Sequence, residues 1–496
     1  MACLKIVIPP FTHVLMPPLG PAALVAYLRN KYADVEVLDL NVSLLKMLPK
    51  SVRNSRDYAQ IADHAARLCD KIFRRWAENP DADIEQLNAL IDQILSGNPH
   101  IVGFSYYFTN FLLFPLASRV KEEDPELKIV VGGPTATFSY REILEGSFGV
   151  DFVVLGEGEI PLSQLYRVLV EDGDIRSVDG IAYRDGDGKI IAKDVTLIDD
   201  LNSLPIPDFE GFSLKDYFLM RVSRGRSTFL PLETSRGCVF NCAYCQERIL
   251  WRTYREKRPE RVVEELEHVK KKYGAKGVWF WDSLLNARPG RLERICDAIR
   301  SSGVNVEWGG SISIANVSIN TVGKLYDAGC RFLQIGMESA STEVLRSMRK
   351  PVDVEKAALL IKKLSDAGIW VHIFFMVGFP TERWEDFEES LNFLIGNADY
   401  IDSISVSPFS PAENTPIVLN PQTFNISDLR RLVIRTKKGN IPCGFSFSSP
   451  HVDEVEVERR LQVMVELAEE LGILIGEFHP LFYMAGQEYE GSSLSK

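Results

Sequence analysis

The sequence predicts an α/β protein: a doubly wound, Rossmann-like parallel sheet, then a partial (β/α)6 TIM-like barrel, then a C-terminal helical extension. Short apolar runs alternate with helical patterns through about the first 160 residues, and this alternation resumes near residue 228. Between the two regions, the segment SLPIPDF contains two prolines that interrupt regular structure. A chain of 496 residues is also too long for one ordinary core, so several domains are expected.

Residues 1–160 are predicted to form the doubly wound domain. Its strands are apolar runs that suit a parallel sheet buried on both faces: LKIVIPP, VEVLDLN, IVGFSYYF, KIVVGGP and DFVVLGEG. A polar stretch with a helical pattern follows the second run and predicts a helical insertion over about residues 45–97. Residues 161–225 contain strand-like runs and Asp-Gly pairs, which favour tight turns, and are predicted to form a connector.

Residues 226–418 are predicted to form the partial barrel. Its six strand units begin with TFLPLET, GVWFW, VEWGG, RFLQIG, WVHIFFM and DSISVS. Barrels of this type carry their chemistry at the C-terminal ends of the strands, so functional residues are expected there. Residues 419–496 are predicted to form a C-terminal extension that contains one amphipathic helix, VERRLQVMVELAEEL.

The composition excludes several classes of protein. Hydrophobic residues make up 46% of the chain and charged residues 25%, which is typical of a globular protein and not of a disordered one. The net charge of −12 argues against a surface that binds long nucleic acids. No apolar run approaches the roughly 20 residues of a membrane-spanning helix, and no signal-peptide pattern opens the chain. We therefore expect a cytoplasmic protein without a membrane span.

A cluster of cysteines directly follows the first barrel strand. The segment SRGCVFNCAYCQ places Cys238, Cys242 and Cys245 in a CxxxCxxC array. A closed zinc site needs a fourth protein ligand, and none lies nearby in the sequence. A [4Fe–4S] cluster usually takes four thiolates, so three would leave one iron open to a substrate or cofactor. Chance proximity and a redox thiol pair are the alternatives.

This array resembles the radical SAM (S-adenosylmethionine) superfamily, and the resemblance covers residues 228–416. It implies that the three cysteines bind a [4Fe–4S] cluster and that SAM chelates the open iron. Reduction of SAM would then release a 5′-deoxyadenosyl radical. An external electron donor such as a flavodoxin or ferredoxin is expected, because a low-potential cluster needs one.

The resemblance also assigns SAM contacts at four places. Tyr244, before the third cysteine, would face the adenine, and Asp282 and Ser283, after the second strand, would face the methionyl amine. Glu338 and Ser339, at the end of the fourth strand, would face the ribose, and Gly378, Phe379 and Pro380, at the end of the fifth strand, would again face the adenine. Taken alone, Tyr244 also fits a core aromatic, and Glu338 fits a helix cap.

His372 lies within the fifth barrel strand. A histidine at such a position is commonly packed or hydrogen-bonded in the core. If its side chain faced the barrel interior, it could act as an acid or base toward a substrate. We therefore name it as the candidate catalytic residue.

Glycine-rich turns end the strands of the N-terminal domain. A parallel sheet binds ligands at this edge, and a nucleotide is the generic expectation. The succession PPLG, GFS, GGP and GEGE ahead of the cysteine motif resembles the cobalamin-binding subgroup of radical SAM enzymes. The implied cobalamin contacts are Pro18, Leu19, Gly20, Ser105, Gly132, Gly133, Gly156 and Glu157.

The chain departs from that subgroup in one respect. The DxHxxG signature, which supplies a cobalt-coordinating histidine, is absent, and His13 does not lie in its frame. The sequence therefore predicts cobalamin without this histidine ligand, or a domain that no longer binds cobalamin.

The leading functional hypothesis is a cobalamin-dependent radical SAM methyltransferase acting on an unactivated carbon or phosphorus centre. The expected substrate is a small molecule, a lipid precursor or a peptide. The alternatives are a cyclase or rearrangement enzyme with the same cofactors, a radical SAM enzyme without cobalamin, and a non-catalytic protein that only holds cobalamin or a cluster.

Overall fold

The computed structural model describes residues 3–10, 15–32, 34–55, 57–107, 110–222 and 228–476. The chain divides into two compact units. Unit 1 comprises Met1–Asp199, Ser203–Arg221 and Val433–Cys443, and unit 2 comprises Asp200–Asn202, Val222–Leu432 and Gly444–Lys496. None of the helices in the described ranges has the length and apolar character that a bilayer-spanning segment requires.

Seven strands form the sheet of unit 1: β1 Leu4–Ile8, β2 Val35–Asp39, β3 Ile101–Ser105, β4 Lys128–Gly132, β5 Phe152–Val154, β6 Ile181–Arg184 and β7 Ile190–Ala192. Their order is β2-β1-β3-β4-β5-β6-β7. The first five are parallel, which confirms the predicted doubly wound fold. The last two are antiparallel and lie in the segment expected to be a connector. They extend the sheet because Ile181 and Tyr183 are buried in its core.

The helices of this part of the chain are α1 Leu19–Arg29, α2 Leu40–Met47, α3 Lys50–Arg53, α4 Tyr58–Glu78, α5 Glu85–Leu95, α6 Leu113–Glu123, α7 Pro134–Glu145, α8 Glu159–Val170 and α9 Phe218–Val222. Three short 3-10 helices cover Ile175–Ser177, Leu201–Ser203 and Leu214–Asp216. The chain between β2 and β3 contains α2 to α5. The longest of them, α4, begins where the Asp57 side chain accepts the Ala59 amide at 2.9 Å. It buries an apolar stripe that includes Cys69 and Trp76.

The remaining strands are β8 Thr228–Leu232, β9 Ser235–Arg236, β10 Arg255–Glu256, β11 Ala275–Phe280, β12 Glu307–Ile312, β13 Cys330–Glu338, β14 Trp370–Val377, β15 Ser403–Pro408, β16 Asp428–Thr436, β17 Gly439–Ser448 and β18 Leu474–Ile475. The barrel sheet has the order β8-β11-β12-β13-β14-β15-β18 and is parallel throughout. Its first six strands are the six that the sequence predicted. The seventh, β18, comes from the C-terminal extension, which therefore completes the sheet.

The helices of unit 2 are α10 Glu247–Trp251, α11 Pro259–Tyr273, α12 Arg291–Ser302, α13 Val322–Asp327, α14 Thr342–Ser347, α15 Val354–Asp366, α16 Trp384–Asn397, α17 Pro416–Leu419 and α18 Glu454–Glu470. Further 3-10 helices cover Ile319–Thr321, Ala398–Tyr400 and Pro421–Phe424. The amphipathic helix predicted in the C-terminal extension is α18, and β16 pairs with β17 in a separate two-stranded sheet.

One face of the barrel sheet carries an aromatic layer and a polar row. The rings of Trp279 on β11 and Phe332 on β13 stack with centroids 4.3 Å apart. Gly309 on β12 lies between these strands, and a Cβ there would meet the Phe332 ring at 2.2 Å, so the stack needs glycine at this position. Two residues further along the strands, Gln334 on β13 and His372 on β14 are in register. Polar side chains therefore follow the aromatic layer toward the C-terminal ends of the strands.

Candidate active site

The three motif cysteines lie on a loop between β8 and α10. Gly237 precedes the first of them with φ = +86°, and a Cβ there would come within 2.7 Å of the Thr253 carbonyl oxygen. Glycine is needed because the backbone passes so closely in a left-handed conformation. Cys238, Cys242 and Cys245 are free and half-buried. The loop presents three thiols near the C-terminal end of a barrel strand.

The surroundings of these thiols disfavour an uncompensated thiolate. Burial raises the pKa of all three, that of Cys245 to about 12, and the neighbouring thiols raise the pKa of Cys242 and Cys245 further. Hydrogen bonds from the backbone of Phe240 to Cys238 and of Glu247 to Cys245 act in the opposite direction. Thiolates here need a positive centre, which the iron ions of a cluster supply. The donor set therefore fits an iron–sulfur cluster.

The thiols are not arranged around a single ion. In the described ranges, no three His, Cys, Asp or Glu side chains form a group that could hold one metal ion. A [4Fe–4S] cube makes a different demand, because each cysteine binds its own iron at a separate corner. Its thiolates are therefore further apart than the ligands of one ion.

Asp282 follows β11 and supports the start of the cysteine loop. Its buried carboxylate accepts hydrogen bonds from the Thr234 amide at 2.8 Å, from Thr234 Oγ1 at 2.6 Å and from Ser235 Oγ. Burial raises the pKa of this carboxyl, although the donors oppose the shift. The sequence predicts a contact with the methionyl amine of SAM. In the structure the carboxylate binds protein donors on the strand end that leads into the loop, and the SAM contact stays a prediction.

Ser283 connects the end of β11 to the cysteine loop. Its hydroxyl donates a hydrogen bond to Glu247 Oε2. Glu247 begins α10, two residues after Cys245. We did not predict Glu247 from the sequence, although its position beside the motif was a usable signal.

Glu338 forms a largely buried ion pair with a lysine that the sequence motifs do not single out. Oε1 of Glu338 lies 2.8 Å from Lys350 Nζ, which is 3.5 Å from the Tyr244 hydroxyl. The side chains of Lys350 and Glu338 are 17% and 14% exposed. Burial lowers the pKa of Lys350, but Glu338, Cys242 and Cys245 together raise it above its ordinary value, so the ammonium stays charged. A buried cation thus lies beside the cysteine loop.

The backbone around this pair is shaped to hold it. Glu338 has φ = +66°, which is uncommon for a residue other than glycine. A Cβ on Gly336 would lie 2.8 Å from Lys350 Nζ, so a side chain there would displace the ammonium. The Ala243 amide donates to the Met348 carbonyl oxygen at 2.9 Å and ties the cysteine loop to the segment that carries the lysine. Lys350 follows α14 in no recognisable motif, so only the fold reveals its place.

Ser339 lies next to this pair but is fully buried. Its hydroxyl accepts a hydrogen bond from the Ser341 amide at 3.1 Å and lies 3.4 Å from Ser390 Oγ. These bonds shape the turn into α14, and the expected contact with ribose stays a prediction.

The turn after β14 contains Gly378, Phe379 and Pro380. Gly378 has φ = +77° and donates its amide to Glu382 Oε2 at 2.8 Å. Phe379 is buried in an apolar cluster that joins the cysteine loop, through Ala243, to the chain after β15. The rings of Tyr244 and Phe379 meet edge to face with centroids 6.5 Å apart. Tyr244 therefore packs, partly buried, against this cluster while its hydroxyl lies near Lys350.

His372 is completely buried on β14. Its Nδ1 is 2.9 Å from Ser403 Oγ on β15, and the Trp370 indole also donates to that hydroxyl at 2.9 Å. In register, His372 lies between Gln334 on β13 and Ser403. This environment is that of a packed, hydrogen-bonded histidine.

The fold gathers the glycine turns of unit 1 at one edge of its sheet. Ser105 and Gly132 are in register at the carboxyl ends of β3 and β4. Thr137 Oγ1 donates to the Gly133 carbonyl oxygen at 3.1 Å and accepts the Gly156 amide at 2.9 Å, which joins two of the turns. Thr137 was not predicted. Residues without side chains at this edge suit a large ligand that must approach the backbone.

Other predicted cobalamin contacts differ in exposure. Pro18 and Leu19 are half-buried at the start of α1, and Gly20 is exposed, where an added Cβ would meet no atom within 4 Å. Glu157 is buried, and its Oε2 accepts the Ile198 amide at 2.7 Å, so it anchors a following segment of unit 1. His13, the histidine outside the DxHxxG frame, lies outside the described residues.

Comparison with known proteins matches both units. A profile of the radical SAM superfamily matches residues 232–394, and a profile of the B12 binding domain matches residues 71–166. The cofactors expected from the sequence, a [4Fe–4S] cluster, SAM and cobalamin, agree with these two domains.

Two curated relatives and one solved structure are informative. An uncharacterized methyltransferase of Pyrococcus horikoshii, PH0819, is 26% identical over 302 residues, which are 60% of this chain and 64% of the relative. The anaerobic magnesium-protoporphyrin IX monomethyl ester cyclase of Cereibacter sphaeroides is 29% identical over 273 residues, 54% of this chain and 44% of the relative. The chain thus matches less than two thirds of the length of either relative.

The structure of the radical SAM methyltransferase TsrM from Kitasatospora setae, with cobalamin and a [4Fe–4S] cluster bound, has a TM-score of 0.73. It is 16% identical and covers 98% of this chain and 95% of its own, which shows a shared fold. The B12 binding match falls within unit 1 and the radical SAM match within unit 2, so the chain belongs to the cobalamin-binding family of radical SAM enzymes.

Proposed function

We propose that the protein is a cobalamin-dependent radical SAM methyltransferase. Its substrate would offer an unactivated carbon or phosphorus centre, in a small molecule, a lipid precursor or a peptide. The observation that supports radical SAM chemistry is the Lys350–Glu338 ion pair, which lies beside a loop with three free thiols. Methyl transfer is supported by the relative named as a methyltransferase and by the fold shared with TsrM.

Each group of residues has a proposed task. Cys238, Cys242 and Cys245 would hold the cluster. Lys350 would attract the carboxylate of SAM, and Glu338 would accept hydrogen bonds from the ribose hydroxyls. Both charges are in place before SAM arrives, so little reorganisation is needed on binding.

The backbone completes the SAM site. The turn at residues 378–380 would lie against the adenine, since its glycine leaves room for close approach. Asp282 would act as a positioning residue, because its carboxylate holds the strand end before the cysteine loop. When bound, the cluster supplies the electron that cleaves SAM, and cobalamin carries the methyl group.

The edge of the unit 1 sheet that carries the glycine turns would hold cobalamin. Ser105, Gly132, Gly133 and Gly156 would let the cofactor approach the backbone, and Thr137 would keep two of the turns together. Because the DxHxxG signature is absent, the lower face of the cofactor would not receive a histidine from that motif.

Cyclisation is the second candidate function. One relative is named as a cyclase, and its identity to this chain, 29%, is similar to that of the methyltransferase relative. None of the side chains at the candidate site discriminates between methyl transfer and cyclisation, so the reaction products must be identified to distinguish the two.

The test is anaerobic purification with hydroxocobalamin and iron–sulfur reconstitution, followed by SAM and a chemical reductant. Absorbance spectra would report the cluster and cobalamin, and chromatography would quantify 5′-deoxyadenosine and S-adenosylhomocysteine. Formation of both products supports methyl transfer. Bound cobalamin and deoxyadenosine without S-adenosylhomocysteine, in the presence of a turned-over substrate, favours cyclisation. Deoxyadenosine without any bound cobalamin removes the cobalamin part of the proposal.

The cysteines give this test a matched control. Replacing Cys238, Cys242 and Cys245 with Ala should abolish the cluster and SAM cleavage. Cys69→Ala, at a buried cysteine in α4, should keep both. Full iron content in the triple variant would refute the cluster assignment.

A further inference from the structure

The C-terminal extension packs directly against the turn that follows β14. A Cβ on Gly378 would lie 2.5 Å from Val457 Cγ2 and 3.4 Å from Val452 Cγ1. Val457 is in the first turn of α18, and Val452 precedes that helix. Because φ at Gly378 is +77°, its conformation and its neighbours both require glycine. No side chain would fit between the turn and the helix.

A buried ion pair joins the same two segments. Arg460 Nη1, from α18, lies 2.8 Å from Glu382 Oε2, and the two side chains are 2% and 1% exposed. The same Glu382 oxygen accepts the Gly378 amide at 2.8 Å. Arg460 Nη1 also donates to the Glu382 carbonyl oxygen at 3.0 Å. One carboxylate oxygen therefore binds both the turn backbone and the helix side chain.

Arg460 is itself held in place. Its Nε donates to Glu456 Oε1 at 3.0 Å. Its guanidinium lies over the Trp384 and Phe387 rings of α16, at 6.0 Å and 5.7 Å from their centroids. A buried charge with this many partners has one low-energy position, and removal of the Arg460 charge leaves the buried Glu382 carboxylate without its cation.

We propose that the Arg460–Glu382 pair positions the 378–380 turn for SAM, so that α18 sets the affinity of the enzyme for this cofactor. The helix lies beyond residue 394, where the radical SAM match ends. This inference rests on the proposed function, in which the turn lies against the adenine. Arg460 and Glu382 are positioning residues, since both are too deeply buried to touch SAM.

The experiment compares reconstituted wild type with Arg460→Met, Arg460→Lys and Arg459→Met. Arg459 is the matched control, because it is adjacent in the helix and 62% exposed, with its ion pair to Glu456 at 3.6 Å. For each protein, iron content, thermal unfolding, the Kd for SAM by equilibrium dialysis, and kcat and KM of SAM cleavage without substrate would be measured.

Arg460→Met should raise the Kd and KM for SAM about tenfold, with iron content and kcat retained to within about twofold, because the turn is displaced and the cluster is not. Arg460→Lys should recover most of the affinity, and Arg459→Met should behave as wild type. A Kd for SAM unchanged in Arg460→Met with full iron would overturn the inference, since the pair would then only stabilise the fold.

If Arg460→Met does not fold, the double variant Arg460→Met/Glu382→Gln is measured in its place. It removes both buried charges and keeps an acceptor for the Gly378 amide. Weaker SAM binding in the folded double variant supports the inference, and wild-type affinity contradicts it. Failure of the proposed function has a different signature: wild type with a full cluster would neither bind nor cleave SAM.

Discussion

Gly133 lies so close to Tyr106 that a Cβ on the glycine would be 2.6 Å from the Tyr106 carbonyl oxygen. The glycine also has φ = +111°, a conformation that other residues rarely adopt. These two constraints bring the turn after β4 against the chain that leaves β3. They define the edge of unit 1 where we expect cobalamin.

Gly133→Ala should therefore destabilise unit 1 by about 1–3 kcal/mol through backbone strain and a steric clash. It should also weaken cobalamin binding, because the turn must move. Urea unfolding and absorbance titration with hydroxocobalamin would measure the two effects. Gly186→Ala is the control, since a Cβ at that exposed turn meets no atom within 4 Å. Equal cobalamin affinity in the two variants would count against this edge as the binding site.

Lys350→Met should lower the affinity for SAM by about tenfold or more, because a charge-assisted hydrogen bond is worth about 1.5–3 kcal/mol. The cluster should remain, since its thiols are not removed. Equilibrium dialysis with SAM and an iron assay would test this. Lys324→Met, which breaks an exposed ion pair with Asp297 at 3.0 Å, is the control. Unchanged SAM affinity with full iron would refute the task proposed for Lys350.

Asp39→Asn should change how stability depends on pH. Asp39 caps α2 by accepting the Asn41 amide at 2.9 Å and also accepts a hydrogen bond from the Tyr217 hydroxyl. Burial raises the pKa of this carboxyl above its ordinary value of about 3.9. The folded state therefore holds the proton more tightly, and its contribution to stability is lost as pH rises from the ordinary to the raised pKa.

Asparagine cannot ionise, so the variant should gain stability relative to wild type as pH rises through that interval. Unfolding midpoints between about pH 4 and 7 would show it. Asp57→Asn is the control, because Asp57 caps α4 by the same kind of hydrogen bond, at 2.9 Å to the Ala59 amide, and the substitution is chemically identical. Parallel pH profiles for wild type and Asp39→Asn would contradict the prediction.

His372→Asn should lower the unfolding free energy by about 1–3 kcal/mol, because a buried hydrogen bond to Ser403 is weakened. SAM cleavage and product formation should continue. Ser403→Ala, which removes the partner, should have a similar effect on stability. If product formation failed in His372→Asn while SAM cleavage continued, His372 would instead be the acid or base that its strand position suggested.

Much of the fold follows from local sequence patterns. The six predicted barrel strands are all present, because an apolar run needs only its own neighbours to show its periodicity. The pairing of β6 and β7 with the first sheet, and of β18 with β15, was not predicted. Short strands at a sheet edge carry little periodicity, and the packing that buries them comes from distant residues.

The candidate site likewise combines residues that the sequence reveals with residues that only the fold brings together. The CxxxCxxC motif reveals three cysteines because they are close in sequence. Asp282 and Ser339, for which SAM contacts are predicted, also have hydrogen-bond partners that are distant in sequence, Thr234 and Ser390. A side chain at a strand end can face a ligand or a neighbouring loop, and sequence position alone does not distinguish them.

By itself, the sequence determined the two sheets, the cysteine loop and the glycine turns, since local periodicity and steric demands are set by adjacent residues. Only the tertiary structure decided which charges meet. Lys350 pairs with Glu338 across 12 positions and Arg460 with Glu382 across 78, and these pairings depend on strand register and helix packing. Such contacts form only when the whole unit has folded, because burial is what makes each charge need its partner.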